Sequence, residues 1–315
     1  MKTGFWAVKC AAQPLFLITI KKQNAMKKLM MAMTAALMLS SCEYLQVDDL
    51  AELEENTSQK TVTFRLSTDG WNKNAMPLTR GAMTADDTEM TDLWLFDYMG
   101  DELVQSAVYS PEDDDWGAPS LTLKLGTHHI YFVASRGDQP TVDEDAETIT
   151  WGTPKDTFWA SLTFNVTSGS NTSQSVTLNR VATKMRLQVN DLVPDGIATL
   201  NITPDTWYFG LNYTTGEATS SETRERSVTV PSAYIGTTGR LVASFFGLSD
   251  ATEWTTNIAV TAKDGEGNAV GSATITDAPF LRNRISSFSG NLFNGEGSMD
   301  VTLDGDWSAD YTATW

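Results

Sequence analysis

The sequence predicts an all-β protein: two tandem β-sandwich domains behind an export leader. Three observations lead there. From residue 57 onward, short runs with period-two alternation recur between Gly, Asn, Asp and Pro, and none keeps a helical period. Hydrophobic residues make up 41% of the 315 residues and aromatics 10%, enough for a packed core. A sandwich holds about 100 residues, so the roughly 260 residues beyond the leader make two.

The leader is residues 1–41. Read from Met26, Lys27 and Lys28 precede the apolar run Leu29 to Leu39, and Ser40-Ser41-Cys42 follows. A basic start, a short apolar stretch and small residues before a cut are the marks of a signal peptide. The apolar run is about half the ~20 residues that a membrane-spanning helix needs. Leu39-Ser40-Ser41-Cys42 resembles a lipobox, which implies cleavage between Ser41 and Cys42 and lipidation of the Cys42 thiol. Buried acyl chain contributes about 0.8 kcal/mol per CH₂, and more than one chain makes a stable anchor. The other reading of Cys42 is a cysteine that happens to end a plain signal peptide. Residues 1–25 fall outside this pattern and read as a second upstream leader or a start placed too early. Residues 42–56, with Asp48, Asp49, Glu52, Glu54 and Glu55, read as an acidic tether.

The first sandwich is expected over 57–176. Thr61 to Leu66 alternates strictly, with Val62, Phe64 and Leu66 on one face. Leu93-Trp94-Leu95-Phe96 is apolar on both faces, as a central strand would be. Met99-Gly100-Asp101 turns the chain into Glu102-Leu103-Val104. Leu121 to Leu125 alternates again, and His129 to Ala134 reads as another buried strand. Pro154 to Ala160 allows a short helix. The second sandwich is expected over 177–315, after the polar stretch Gly169 to Ser173. Its strands are read at Val176 to Leu178, Met185 to Val189, Leu241 to Phe246 and Ile258 to Ala262, with Lys263 to Asn268 turning into Ala269-Val270.

The C-terminal run alternates without a break. Met299, Val301, Leu303, Gly305, Trp307, Ala309, Tyr311, Ala313 and Trp315 fall on one face, and polar residues fall on the other. Fully extended, the run would span roughly 56 Å, several times an ordinary strand. Either it completes the second sandwich, or part of it, with Trp307, Tyr311 and Trp315, adds a strand to another subunit's sheet.

Charge and composition narrow the function classes. Six Lys and no acid lie in the first 41 residues, so 16 basic side chains (22 less 6) face 40 acidic ones thereafter, a net of −24. Such a surface repels phosphate backbones and argues against nucleic acid as a partner. The only cysteines are Cys10 and Cys42, with no CxxC for zinc or redox chemistry. The two histidines are neighbours, His128 and His129. In a strand they point to opposite faces and cannot hold one metal together. No metal, cofactor or catalytic residue is expected, and the chain reads as a non-enzyme. The acids at Glu112 to Asp115 and Asp143 to Asp145 lack the alternate-residue spacing of a Ca²⁺ loop and read as solvated loops. Most of the ten tryptophans read as core or rim, although a sugar-stacking platform is the other use of such residues.

Taken in order, these segments resemble the fimbrillin family, the subunits of type V fimbriae. The resemblance rests on Cys42 and its acidic tether, the strand Lys60 to Leu66, and Thr79-Arg80-Gly81. It continues through Met90 to Asp97, Gly126 to Ala134, Leu178 to Met185 and Phe280 to Phe293. It implies two transthyretin-like (Greek-key) sandwiches, export as an outer-membrane lipoprotein and a stalk- or anchor-type role in a cell-surface fimbria. In polymerising members an arginine-specific protease cuts after the first strand, and a strand of the next subunit fills the groove left behind. Carried onto this chain, the cut falls at Arg80-Gly81 and the exchanged strand carries Val62, Phe64 and Leu66. Arg80 is otherwise an ordinary loop arginine. The partners implied are other fimbrial subunits, the outer membrane through the lipid, and surface ligands of host or bacterium. The alternative function is a surface glycan-binding lipoprotein.

Overall fold

The computed structural model describes residues 58–68, 90–136, 139–294 and 299–304. These residues form nineteen strands and one 3-10 turn, with no α-helix among them. In chain order the first strands are β1 (Gln59–Thr68), β2 (Asp92–Met99), β3 (Glu102–Tyr109), β4 (Ser120–Lys124), β5 (Gly126–Ser135), β6 (Thr141–Asp143), β7 (Thr148–Thr150), β8 (Thr157–Val166) and β9 (Ser173–Arg180). They continue as β10 (Ala182–Val189), β11 (Ile197–Pro204), β12 (Trp207–Asn212), β13 (Ala218–Glu222), β14 (Arg226–Thr229), β15 (Leu241–Leu248), β16 (Trp254–Asp264), β17 (Ala269–Phe280), β18 (Ile285–Gly290) and β19 (Met299–Asp304).

Seven strands form one sheet in the order β3-β2-β5-β8-β9-β1-β4. Among the described residues its two halves are joined where Phe158 pairs with Arg180 and Trp159 with Asn179. The halves face each other across one core. Val62, Phe64 and Leu66 of β1, Leu121 and Leu123 of β4, and Val176 and Leu178 of β9 meet Leu93, Leu95, Ile130, Phe132 and Phe158 of the other half. Alternation drives this arrangement, since every second residue of each strand must leave water on the same side.

A smaller sheet, β13-β12-β7-β6, covers the outer face of β2 and β5. Trp94, Phe96 and Tyr98 pack there against Ile149, Trp151, Leu211 and Tyr213. Tyr213 stacks on Phe96 at 3.8 Å, and the two hydroxyls of Tyr98 and Tyr213 are 2.9 Å apart. β2 is therefore buried on both faces, as its two-sided apolar run predicts. Asp143 caps the turn between β6 and β7 by accepting from Ala146 N, and Glu144 accepts from the Ser106 hydroxyl of β3.

A further core lies between two four-stranded sheets, β15-β10-β18-β19 and β14-β11-β16-β17. Met185, Leu187, Leu241 and Phe288 of the first face Leu200, Ile202, Ile258, Val260 and Ile275 of the second. Asp191 pins the chain leaving β18. Its carboxylate accepts the backbone N–H groups of Leu292, Phe293 and Asn294 at 2.6 to 3.1 Å.

Two expectations are corrected. The helix allowed at Pro154–Ala160 is instead the start of β8. Phe158 and Ala160 point into the first core while Trp159 packs on the opposite side, and a segment with a core on each face has no use for a helical stripe. The division expected between 176 and 177 falls inside β9. Val176 and Leu178 share the core of Phe64, so the first sheet runs to Arg180 and the next core opens with Met185 on β10.

Candidate functional site

The site to build is the seat of β1. This strand runs parallel to β9, with Thr63 opposite Ser173 and Thr68 opposite Leu178, and antiparallel to β4, with Gln59 opposite Lys124 and Thr63 opposite Ser120. It thus lies inside the sheet with a ladder on each side. Beyond the end of β4 the pairing continues through Phe64 N to Pro119 O (2.8 Å) and Leu66 N to Gly117 O (3.1 Å).

Its inward face is fully buried: Val62, Phe64 and Leu66 each have no accessible surface. The Phe64 ring meets Phe132 edge-on at 5.4 Å across the core. Burial of these three side chains contributes about 5–9 kcal/mol, at 1.5–3 kcal/mol each. Its outward face is polar. Thr61 and Arg65 are exposed, and side-chain hydroxyls cross to the neighbours: Thr61 to Thr122 at 3.2 Å, Thr63 to Ser120 at 2.8 Å and Ser67 to Thr177 at 3.2 Å. Lys60 Nζ donates to Ser168 O at 3.1 Å and also to Ser170 O, tying the strand to the turn before β9.

The chain between β1 and β2 is residues 69–91. A cut within it leaves β1 held by two ladders and one apolar face, with no covalent bond to β2. The candidate processing pair Arg80 and Gly81 lies in this connection and outside the described residues, as do Ser41, Cys42, Trp307, Tyr311 and Trp315. Of the alternating C-terminal run, residues 299–304 are described. They form β19, the end strand of its sheet, antiparallel to β18, with Ile285 opposite Asp304 and Gly290 opposite Met299. The residues predicted at the first strand therefore converge in one seat.

Sequence reading missed the far wall of that seat. The sequence places a strand at Val176 to Leu178 at the head of the second series. The signal that places them is the polar–apolar alternation from Ser175 to Leu178, too short to reveal which sheet it joins.

A second constellation lies where β9 passes into β10. Arg180 reaches Asp156 with two bonds, Nε to Oδ1 at 2.8 Å and NH2 to Oδ2 at 3.1 Å. Its NH1 donates to Asn283 Oδ1 at 3.1 Å, and its guanidinium sits 4.9 Å above the Phe158 ring. Asn283 holds a left-handed φ of 56° and returns its N–H to Ala182 O. Next to it, Arg282 donates to Ser249 O at 3.2 Å and Gly216 O at 2.8 Å; burial draws its pKa down, against the pull of Asp250 and Glu217. Two segments quoted for the resemblance, Leu178 to Met185 and Phe280 to Phe293, thus meet at one buried ion pair.

Solved structures share this architecture. A candidate adhesin from Bacteroides ovatus superposes with a TM-score of 0.51 at 11% identity, over 79% of this chain and 95% of its own. Candidate polysaccharide-binding proteins (DUF1812) from Bacteroides thetaiotaomicron give 0.50 at 7% identity, over 78% and 96%. The fimbrial anchor protein Mfa2 from Porphyromonas gingivalis also aligns, with 0.45 at 11% identity over 79% and 98%. No curated protein matches the chain in sequence. The class that the fold defines is a multi-sheet β-sandwich protein, the architecture of the first two of these structures. A model of the DUF6562 family, a family of unknown function, matches residues 141–315, and the chain belongs to that family.

Proposed function

We propose that the protein is a structural or adhesive subunit of a cell-surface fimbria, exported as an outer-membrane lipoprotein through Cys42 and assembled by β-strand exchange. The observation that carries this reading is the seat of β1. The strand has a ladder on each side and three side chains wholly in the core, yet only residues 69–91 join it to β2. Its departure leaves two unpaired edges and an apolar slot, and a strand from another subunit restores both. On this reading the two cores flanking the β9–β10 passage are tandem transthyretin-like sandwiches, the chain is not an enzyme, and its partners are other fimbrial subunits.

The test is incubation of purified precursor with an arginine-specific protease. Cleavage at Arg80-Gly81 followed by a ladder of oligomers supports a stalk role. No cleavage, with a fibre still lost on deletion, leaves an anchor that keeps its own β1. Cys42→Ala should release the protein from membranes, and retention there would refute the lipid anchor.

A second reading, a surface glycan-binding lipoprotein, draws on the candidate polysaccharide-binding neighbours and on the half-buried Tyr208 and Trp254, whose rings lie 5.0 Å apart. Binding to polysaccharide panels, with fibres intact on deletion, would favour it.

A further inference from the structure

The small sheet is built from two excursions of the chain. β5 and β8 are antiparallel neighbours, and the chain between them leaves their sheet to form the hairpin β6–β7. β11 and β14 are antiparallel neighbours in a sheet of the second core, and the chain between them leaves to form the hairpin β12–β13. A loop of about 2–5 residues is enough to join such neighbours, whereas residues 136–156 and 205–225 intervene here. The two hairpins meet strand to strand. Leu211 lies opposite Ile149 and Asn212 opposite Thr148, and the ladder extends through Trp151 N to Phe209 O and Tyr213 N to Glu147 O, both 2.9 Å.

The pair of hairpins covers the back of the layer that faces β1. Leu95 of β2 and Phe132 of β5 share a core with β1, while Phe96 and Val133, the next residues along, share one with the small sheet. Tyr213, at the end of β12, is the hub of the contact and is wholly buried. Its ring stacks on Phe96 with 3.8 Å between centroids and 7° between planes, and its hydroxyl is 2.9 Å from that of Tyr98. Its carbonyl accepts the indole N–H of Trp159, on β8, at 2.7 Å. One residue carried out from the second core thus touches β2, β8 and the turn of the β6–β7 hairpin.

We propose that the small sheet is a brace for the seat of β1: it holds the β2–β5 layer in place when β1 leaves, so that the slot stays open for the next strand. This rests on the strand-exchange reading above. An emptied apolar slot tends to close, because its lining loses packing partners and meets water. The layer can close it only by moving forward, off the small sheet. That movement unstacks Tyr213 from Phe96, draws Trp159 from its carbonyl and opens a second apolar core behind. A layer with water at its back meets no such opposition. The hairpin that carries Tyr213 is rooted in a core to which β1 contributes nothing, so its footing survives the strand's departure.

The experiment cuts the full chain within residues 69–89. Urea is added, below the unfolding midpoint, until the unaltered cut chain releases half of its β1 peptide. Retention is then followed over dilution and reconcentration by mass spectrometry after gel filtration. Tyr213→Ala removes the hub, and Phe288→Ala, in the second core, controls for a loss of stability alone. With roughly one molecule in ten still holding a receptive layer, the apparent affinity for the strand falls about tenfold. That is the result expected for Tyr213→Ala relative to Phe288→Ala. Equal retention in the two variants overturns the brace and leaves strand exchange standing. An unaltered cut chain that releases its strand only on unfolding, or does not recover it on reconcentration, overturns both. Should Tyr213→Ala not fold, hydrogen exchange at the Trp159 indole in the unaltered cut chain decides. Protection that persists as the strand is released supports the brace, and protection lost in step with release overturns it.

Discussion

Phe64→Ala isolates what holds β1 in its seat. The ring has no accessible surface and lies 5.4 Å from Phe132, with Val62 and Leu66 filling the core on either side. Truncating a buried Phe to Ala removes its transfer energy and leaves a cavity, together about 3–5 kcal/mol. In the intact chain this loss appears as a lower urea midpoint. In a chain cut within residues 69–89 it acts on the strand directly, because the cut strand is held only by its ladders and its inward side chains. At ~1.4 kcal/mol per tenfold change, the equilibrium retention of the strand falls by two to three and a half orders of magnitude. The assay cuts the protein at Arg80, or at a protease site placed in the same connection, and follows release of the peptide by mass spectrometry after gel filtration. At equal dilution the cut Phe64→Ala protein should retain far less of its strand than the unaltered cut protein. Equal retention in both would refute the claim that the apolar face of β1 carries its hold on the sheet.

Three further outcomes follow from the same structure. Asp156→Asn leaves a guanidinium that is 2% exposed without its carboxylate and should cost about 3–5 kcal/mol in urea unfolding, while an apolar Asp156→Leu, Arg180→Met pair should recover most of the loss. Gly216→Ala places a Cβ 2.7 Å from Trp159 Cδ2 at a φ of +72°, so its unfolding midpoint should fall by the equivalent of about 1–3 kcal/mol. Asn283→Gly keeps the left-handed turn and gives up the bond to Arg180, whereas Asn283→Ala gives up both. The alanine should be the less stable of the two by thermal unfolding, and equal values would show that the backbone conformation at 283 contributes nothing.

The strands legible in the sequence were those whose alternation was pure and long enough to count. Thr61 to Leu66, Leu121 to Leu125 and Ile258 to Ala262 each bury every second residue, and they are β1, β4 and part of β16. β11 and β12 were missed for physical reasons. In β11 a register shift between Ile197 and Thr199 breaks the period, and Leu200, Asn201 and Ile202 are buried in succession. In β12 aromatic residues cover both sides, with Trp207 in one core and Tyr208 against another. The inward side chains of the seat were readable at Val62, Phe64 and Leu66. Its walls were not, because a parallel partner some 110 residues away, as Leu66 is from Val176, leaves no mark in local periodicity. Arg180 and Asn283 illustrate the same limit. Each stood in a recognisable segment, and only the fold shows that the two segments touch.

Set beside β2 and β19, β1 is the strand best placed for the exchange proposed above. β2 is buried on both faces, so its loss would open two cores at once. Among the described residues β19 ends its sheet and pairs with β18 alone, so its loss would leave one bare edge there. β1 lies between these cases. It has a ladder on each side, one face in the core and one face in water. A strand arriving in its place gains two rows of backbone bonds and a single apolar row, and needs only the matching alternation to do so. Such a seat is specific about period and undemanding about sequence, which is what the proposed exchange would require of a slot that takes either its own strand or a neighbour's.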